Sequence, residues 1–299
     1  MKDLAVSPLR FWFRNINPAR PKDEPTPQMV FGSALHCAFF EGNEALESRY
    51  ARRPLKSDYP GCLVTMEDLQ RWLRDKGITP KGTKKEDVIA QVLATKEPVL
   101  IFDLIDKRIT EENAGKTVLT AEMWDRLTGC LRALRQEPTV CGLMSEGQAE
   151  VPLFVKDKEA GVLLKAKLDW KAPKVTLDLK TFAQMRGKSI DKSVTDAIWY
   201  EGYHRQAVHY TNIRALLGES RTDYVNVFVE SEPPHEVRLR ALRPTTGGQP
   251  NMYWMRAQSE IDALVWRYAD CVKRFCDKPW IDAQEINPLI DEEVPQVAW

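Results

Sequence analysis

The chain has 299 residues, enough for one large hydrophobic core or for one core with a small module. Its 43 basic and 43 acidic residues cancel, which excludes a globally cationic surface, so a polyanionic ligand would have to be met by a local patch. Six cysteines (Cys37, Cys62, Cys130, Cys141, Cys271, Cys276) form no secreted framework, and no leader or membrane-length apolar run is visible, so a reducing cytoplasm is the expected setting.

The first predicted element of interest is a helix opened by Phe31-Gly32-Ser33-Ala34-Leu35-His36-Cys37 and ending near Glu41-Gly42. A histidine beside Phe39 and Phe40 reads first as a packing residue. Next, residues 64–95 read as a helix from Thr65 to Lys76, a connector Gly77 to Thr83, and a second helix from Lys84 to Ala94. Leu69, Trp72, Leu73, Val88, Ile89 and Val92 recur at helical spacing and would form a small core.

Three strands follow. In Gln148 to Val155, Ala149, Val151, Leu153 and Val155 alternate with Gln148, Glu150, Pro152 and Phe154. After the turn Asp157 to Gly161, Leu164, Ala166, Leu168 and Trp170 share one face, and Leu163, Lys165, Lys167 and Asp169 the other. After Lys171-Ala172-Pro173-Lys174, Val175 to Thr181 sends Val175, Leu177 and Leu179 one way and Thr176, Asp178 and Lys180 the other. With simple hairpins, Lys167 is expected opposite both Glu150 and Asp178, with Asp169 one diagonal step (~7–8 Å) away. The same register brings Lys165 near Lys180, a like-charge contact that needs an anion or added carboxylates. A carboxylate face of this kind can hold a divalent cation against a phosphodiester; a solvated, mixed-charge face is the structural alternative.

The segment Ala197 to Gly218 is predicted as one helix with a stripe of Trp199, Tyr203, Gln206, Tyr210, Ile213 and Leu217. Within that stripe, Gln206 and Tyr210 must find hydrogen-bond partners if buried. The stretch Arg186 to Lys192 reads as a mobile loop, and Lys156, Lys158, Arg186, Lys188 and Lys192 are candidates to rim the acidic face. Strands at Asp223–Glu230 and His235–Leu242, a helix from Tyr253 to Cys276 and an acidic tail from Asp282 complete an α/β fold: a mixed central sheet flanked by helices, with a small helical insertion.

Gly32-Ser33-Ala34-Leu35-His36, Glu150, Asp169, Asp178-Leu179-Lys180 and Gln206-x-x-x-Tyr210, in that order, resemble the motifs of PD-(D/E)xK nucleases of the RecB/RecE type. The look is closest to phage and prophage exonucleases of the exonuclease VIII kind. Ser7-Pro8-Leu9 and Tyr203-His204-x-Gln206-Ala207 add to it, so the likeness spans roughly residues 5 to 230. Leu168 stands where the family's proline would precede Asp169.

The resemblance implies a restriction-endonuclease-like nuclease domain over residues 1–299. Its metal ligands would be His36, Glu150, Asp169, Asp178 and the Leu179 carbonyl, holding Mg²⁺, with Mn²⁺ as substitute. Lys180 would orient or deprotonate the attacking water and offset phosphate charge, and Gln206 and Tyr210 would support the site and the DNA backbone. Residues 64–95 resemble a SAP-type module, in which Lys81, Lys84 and Lys85 would meet phosphate, as would Arg186 and Lys188 nearer the acidic face. The expected activity is 5′-to-3′ degradation of double-stranded DNA ends, exposing single strands for recombination with a single-strand annealing partner. The expected assembly is a homo-oligomeric ring, with Trp280 and Trp299 suited to a subunit edge. A structure-specific or restriction-like endonuclease and an inactive DNA-binding assembly protein are the alternatives. No iron-sulfur cluster is expected, because Cys271 and Cys276 are the sole close cysteine pair; nor is a zinc site built on His204 and His209.

Overall fold

Alternating apolar residues on three consecutive segments, followed by a strand apolar on both faces, require a sheet covered on two sides. The computed structural model, which describes residues 2–21, 23–219 and 222–282, has that architecture. The elements that position the site are α1 (Pro27–His36), α2 (Met66–Asp75), α3 (Lys85–Ala94), α4 (Ala121–Gln136), β1 (Gln148–Lys156), β2 (Leu163–Lys171), β3 (Val175–Phe182), α5 (Ile190–Tyr200), α6 (Tyr203–Leu216), β4 (Asp223–Glu230), β5 (Val237–Leu242) and α7 (Met252–Phe275). The five strands form one mixed sheet in the order β1-β2-β3-β4-β5. All neighbours are antiparallel except β3 and β4, which run parallel because α5 and α6 carry the chain back across the sheet.

One core lies under α1 and α4, where Phe31, Leu35, Leu127 and Leu134 pack on Leu177, Leu179, Val225 and Val227. The second lies under α6 and α7, where Val208, Ile213, Ile261 and Leu264 pack on Leu153, Leu164, Ala166 and Leu168. Trp280 is buried in this second core and stacks on Phe11 with ring centroids 5.3 Å apart, so it is an internal packing residue and not a subunit-edge contact. Trp299 lies outside the described residues.

The β1–β2 hairpin departs from the expected register. Ala149 pairs with Trp170 and Val151 with Leu168, which sets Asp169 across from Glu150 and moves Lys167 to Pro152, a shift of two residues. β2 and β3 pair only at Trp170–Leu177 and Lys171–Thr176, then separate, so Lys165 never meets Lys180. Facing also changes at the rung of Glu150 and Asp169. Val151 and Leu168 enter the second core, whereas Ala149 and Trp170 join the first. Glu150 takes up the change with a left-handed backbone, φ 56°, a conformation a non-glycine residue adopts at a cost.

The helical segment after β3 is two helices, not one. Gly202, at φ 75°, breaks the chain between α5 and α6, and α5 starts earlier than expected, at Ile190, with Ser189 capping its N-terminus. The predicted stripe therefore holds from Tyr203 to Ile213 only. Helices α2 and α3 fall where their periodicity places them, with Thr65 and Asp68 forming a capping box, around a small core of Leu69, Leu73, Val88, Ile89 and Val92. Among the described residues no helix is long and apolar enough to cross a membrane.

Candidate active site

His36 arrives from α1, which Thr26 caps and Pro27 starts, at the point where the α-helix gives way to wider π turns through Glu41. Its Nε2 lies 2.9 Å from the Leu179 carbonyl, which can only accept, so Nε2 carries the proton and Nδ1 presents a lone pair. That Nδ1 is 3.5 Å from Asp169 Oδ2. Burial, and after it the charge of Lys180, lowers the imidazole's pKa and keeps it in the neutral, ligating form.

His36, Glu150 and Asp169 each offer one donor atom, all within 4.8 Å of one another. The strand separation that follows Trp170 leaves the backbone amide of Leu179 free to bond Asp169 Oδ2 at 2.9 Å. Burial and the neighbouring Asp178 carboxylate push Asp169 up to about 8, against the opposing pull of Lys180 and the Leu179 amide. Two carboxylates and a neutral imidazole form a hard donor set, and a buried carboxyl kept protonated by a like-charged neighbour is relieved by a divalent cation; the residues present fit such an ion. Glu150 meanwhile pairs with Lys167, whose ammonium reaches it diagonally across the hairpin.

Asp178 lies outside that three-residue group. Buried in the sheet, it pairs with Lys180 Nζ at 2.6 Å and accepts from Gln206 Nε2 at 2.8 Å. Burial alone would lower the Lys180 ammonium, but the Asp178 carboxylate, joined by Asp169 when that group is ionised, outweighs it and holds Lys180 above its ordinary range, a cation at neutral pH. The ammonium also sits 4.9 Å from the ring centre of Tyr203. Tyr210 borders the same group: burial, then the charge of Asp178, raises its phenol. The Leu179 carbonyl faces His36 and has a second lone pair to offer.

The cationic candidates fare differently. Lys81 and Lys84 are exposed on the α2–α3 module, but Lys85 is committed internally, to the Val64 carbonyl and to Asp103, each at 2.7 Å. Lys188 pairs with Asp196 at 2.7 Å while its backbone binds Gln184 and Met185, so the segment around the exposed Arg186 is a hydrogen-bonded turn. His204 is a packing residue, 2.9 Å from the Ile198 carbonyl, and burial pushes His209 down to about 4.

Residues 13–273 match the PDDEXK-like domain of unknown function DUF3799. The chain belongs to this PDDEXK-like family. No curated protein matches the sequence. A crystal structure from Eubacterium rectale, of a protein provisionally designated an exonuclease, is similar with a TM-score of 0.42 and 14% identity, covering 75% of this chain and 85% of that one. The structure of SSO0001 is similar with a TM-score of 0.26 and 12% identity, covering 52% and 65% respectively.

Three neighbours of the PDDEXK-like site escaped the sequence reading. Tyr224 and Asn226 project from β4 beside Asp178, fully buried, with Asn226 paired in register with Asp178 itself. Burial and the Asp178 and Asp169 carboxylates push the Tyr224 phenol well up. Their signal was present as polar residues alternating with Val225 and Val227. Arg214 is fully buried, donating to the carbonyls of Ala172 and Val175 and to Thr176 Oγ1 at 2.8–3.0 Å and pairing with Glu219; it clamps α6, and with it Gln206, to the β2–β3 turn.

Proposed function

We propose that this PDDEXK-like nuclease domain is a divalent-metal-dependent deoxyribonuclease that hydrolyses phosphodiesters from double-stranded DNA ends, in the 5′-to-3′ direction. The observation that carries this reading is the convergence of His36, Glu150 and Asp169 within 4.8 Å beside the buried Asp178–Lys180 pair. His36 Nδ1, Glu150, Asp169 and, adjoining them, Asp178 and the Leu179 carbonyl would hold Mg²⁺ or Mn²⁺. The bound cation would supply Lewis acidity toward the phosphodiester and acidify water.

The chain's own residues do the remainder. Lys180, kept cationic by Asp178, offsets charge on the phosphate and orients water by hydrogen bonding. Gln206 fixes the rotamer of Asp178, and Tyr203 and Tyr210 exclude bulk water around it. Water adds to phosphorus, the bond to the 3′ oxygen breaks, and that oxygen leaves as a hydroxyl, so the products carry 5′-phosphate and 3′-hydroxyl ends. The cancelled net charge favours several copies enclosing the duplex as a ring over a tightly binding monomer, and a single-strand annealing protein would receive the exposed strand. Lys81 and Lys84 of the SAP-like module would add phosphate contacts.

End-labelled linear duplex and covalently closed duplex, incubated with Mg²⁺ and with chelator, test the reading. Metal-dependent loss of label from the linear form alone supports it. Cutting of the closed form favours an endonuclease, and binding without cleavage favours an assembly protein.

A further inference from the structure

Away from its core side, the β1–β2 hairpin has a solvent face of regular composition. Pro152 pairs with Lys167, Phe154 with Lys165, and Lys156 with Leu163, so each rung sets one apolar side chain against one lysine. The rungs repeat every ~7 Å along the strands, the scale of nucleotide spacing in an extended single strand. Phe154 and Leu163 are 59% and 65% exposed, and the burial of Leu153, Leu164 and Ala166 on the opposite face removes any need for them in the fold. Among the described residues no carboxylate pairs with Lys156 or Lys165.

This face ends at the candidate metal site. The next rung carries Glu150 and Asp169, and Lys167 already reaches Glu150. At the other side, Leu163 and Lys165 border a groove of about 690 Å³ whose wall includes Tyr203, Gln206 and Tyr210, the residues around Asp178 and Lys180.

Resting on the nuclease reading above, we propose that this hairpin face binds the unpaired nucleotides of the DNA strand whose phosphodiester lies at the metal site. Lys156 and Lys165 meet successive phosphates, and Phe154 is a stacking platform for one base. Alternating cations and exposed apolar groups fit single-stranded nucleic acid, whose bases present open π faces; a duplex hides those faces and offers only phosphates and base edges. Charge complementarity and adjacency to the metal site both select this occupant.

The test measures binding of fluorescent oligothymidylate, an abasic strand of equal length and a blunt duplex, with Mg²⁺ in an Asp178→Asn background. Adding Phe154→Ala is expected to weaken oligothymidylate binding by about tenfold or more, to leave the abasic strand and the duplex nearly unchanged, and to leave the melting temperature unchanged because the ring is exposed. Phe154→Tyr restores binding. Lys165→Glu weakens both single strands and lowers the salt dependence of their binding. Unchanged oligothymidylate binding by Phe154→Ala, or an equal loss on the abasic strand, overturns the proposal. Cleavage of linear duplex by the wild-type chain, measured in parallel, bears on the nuclease reading alone, so the two can fail separately.

Discussion

Asp169 makes the metal-free protein pH-sensitive in a calculable way. In the folded chain its carboxyl titrates near 8, against an ordinary 3.8, because it is buried beside Asp178. Between those values the folded state holds a proton that the unfolded chain has released, so stability is fully present below about 4 and falls as pH rises toward 8. One proton is worth up to about 1.4 kcal/mol per pH unit, or roughly 3 kcal/mol between pH 5 and 7.5. Asp169→Asn cannot titrate. In chelator, the melting temperature of the variant should therefore gain on that of wild type as pH rises, by roughly 5–10 °C over this interval. Adding Mg²⁺ should stabilise wild type most at the higher pH, where the carboxylate is cheapest to deprotonate, and should stabilise Asp169→Asn little. Parallel pH profiles for the two proteins in chelator would refute the reasoning, since they would show that burial and Asp178 place no proton on Asp169.

Asp178→Asn and Lys180→Met should each reduce DNA cleavage by at least about a hundredfold, since they remove a charge from the site and not a packing group; single-turnover assays with far-UV circular dichroism check both points. His36→Ala should lose activity most at low metal and recover in part as Mn²⁺ is raised; unchanged metal dependence with a lower melting temperature would return His36 to a packing role. Arg214→Ala should destabilise the fold by about 3–5 kcal/mol, because it leaves Glu219 and three buried acceptors without their shared donor, as urea titration would show. Charge reversal at Lys81 and Lys84 should weaken DNA binding and flatten its salt dependence by about one unit per lost phosphate contact, whereas reversal at Lys85 should lower stability by breaking its link to Asp103.

Much of this protein was legible in its sequence because period and parity are local properties. Alternation placed β1, β2 and β3, three- and four-residue spacing placed α2 and α3, and ordered motifs brought His36, Glu150, Asp169, Asp178, Lys180 and Gln206 forward as one set before any distance was known. Register was not legible to the same degree, since a shift of two residues preserves which side of a strand each residue faces; only the assembled hairpin shows Asp169, and not Lys167, across from Glu150. The left-handed turn at Glu150 and the separation of β2 from β3 also lie beyond pattern, because they answer to two cores competing for one strand pair. Sequence thus brought forward the candidate residues for the chemistry and the elements that hold them. Tertiary packing decided which carboxylate is buried enough to keep its proton, which lysines are already spent on ion pairs, and that Tyr224, Asn226 and Arg214 stand behind the site. Those outcomes depend on desolvation and on neighbours distant in the chain, which no local pattern records.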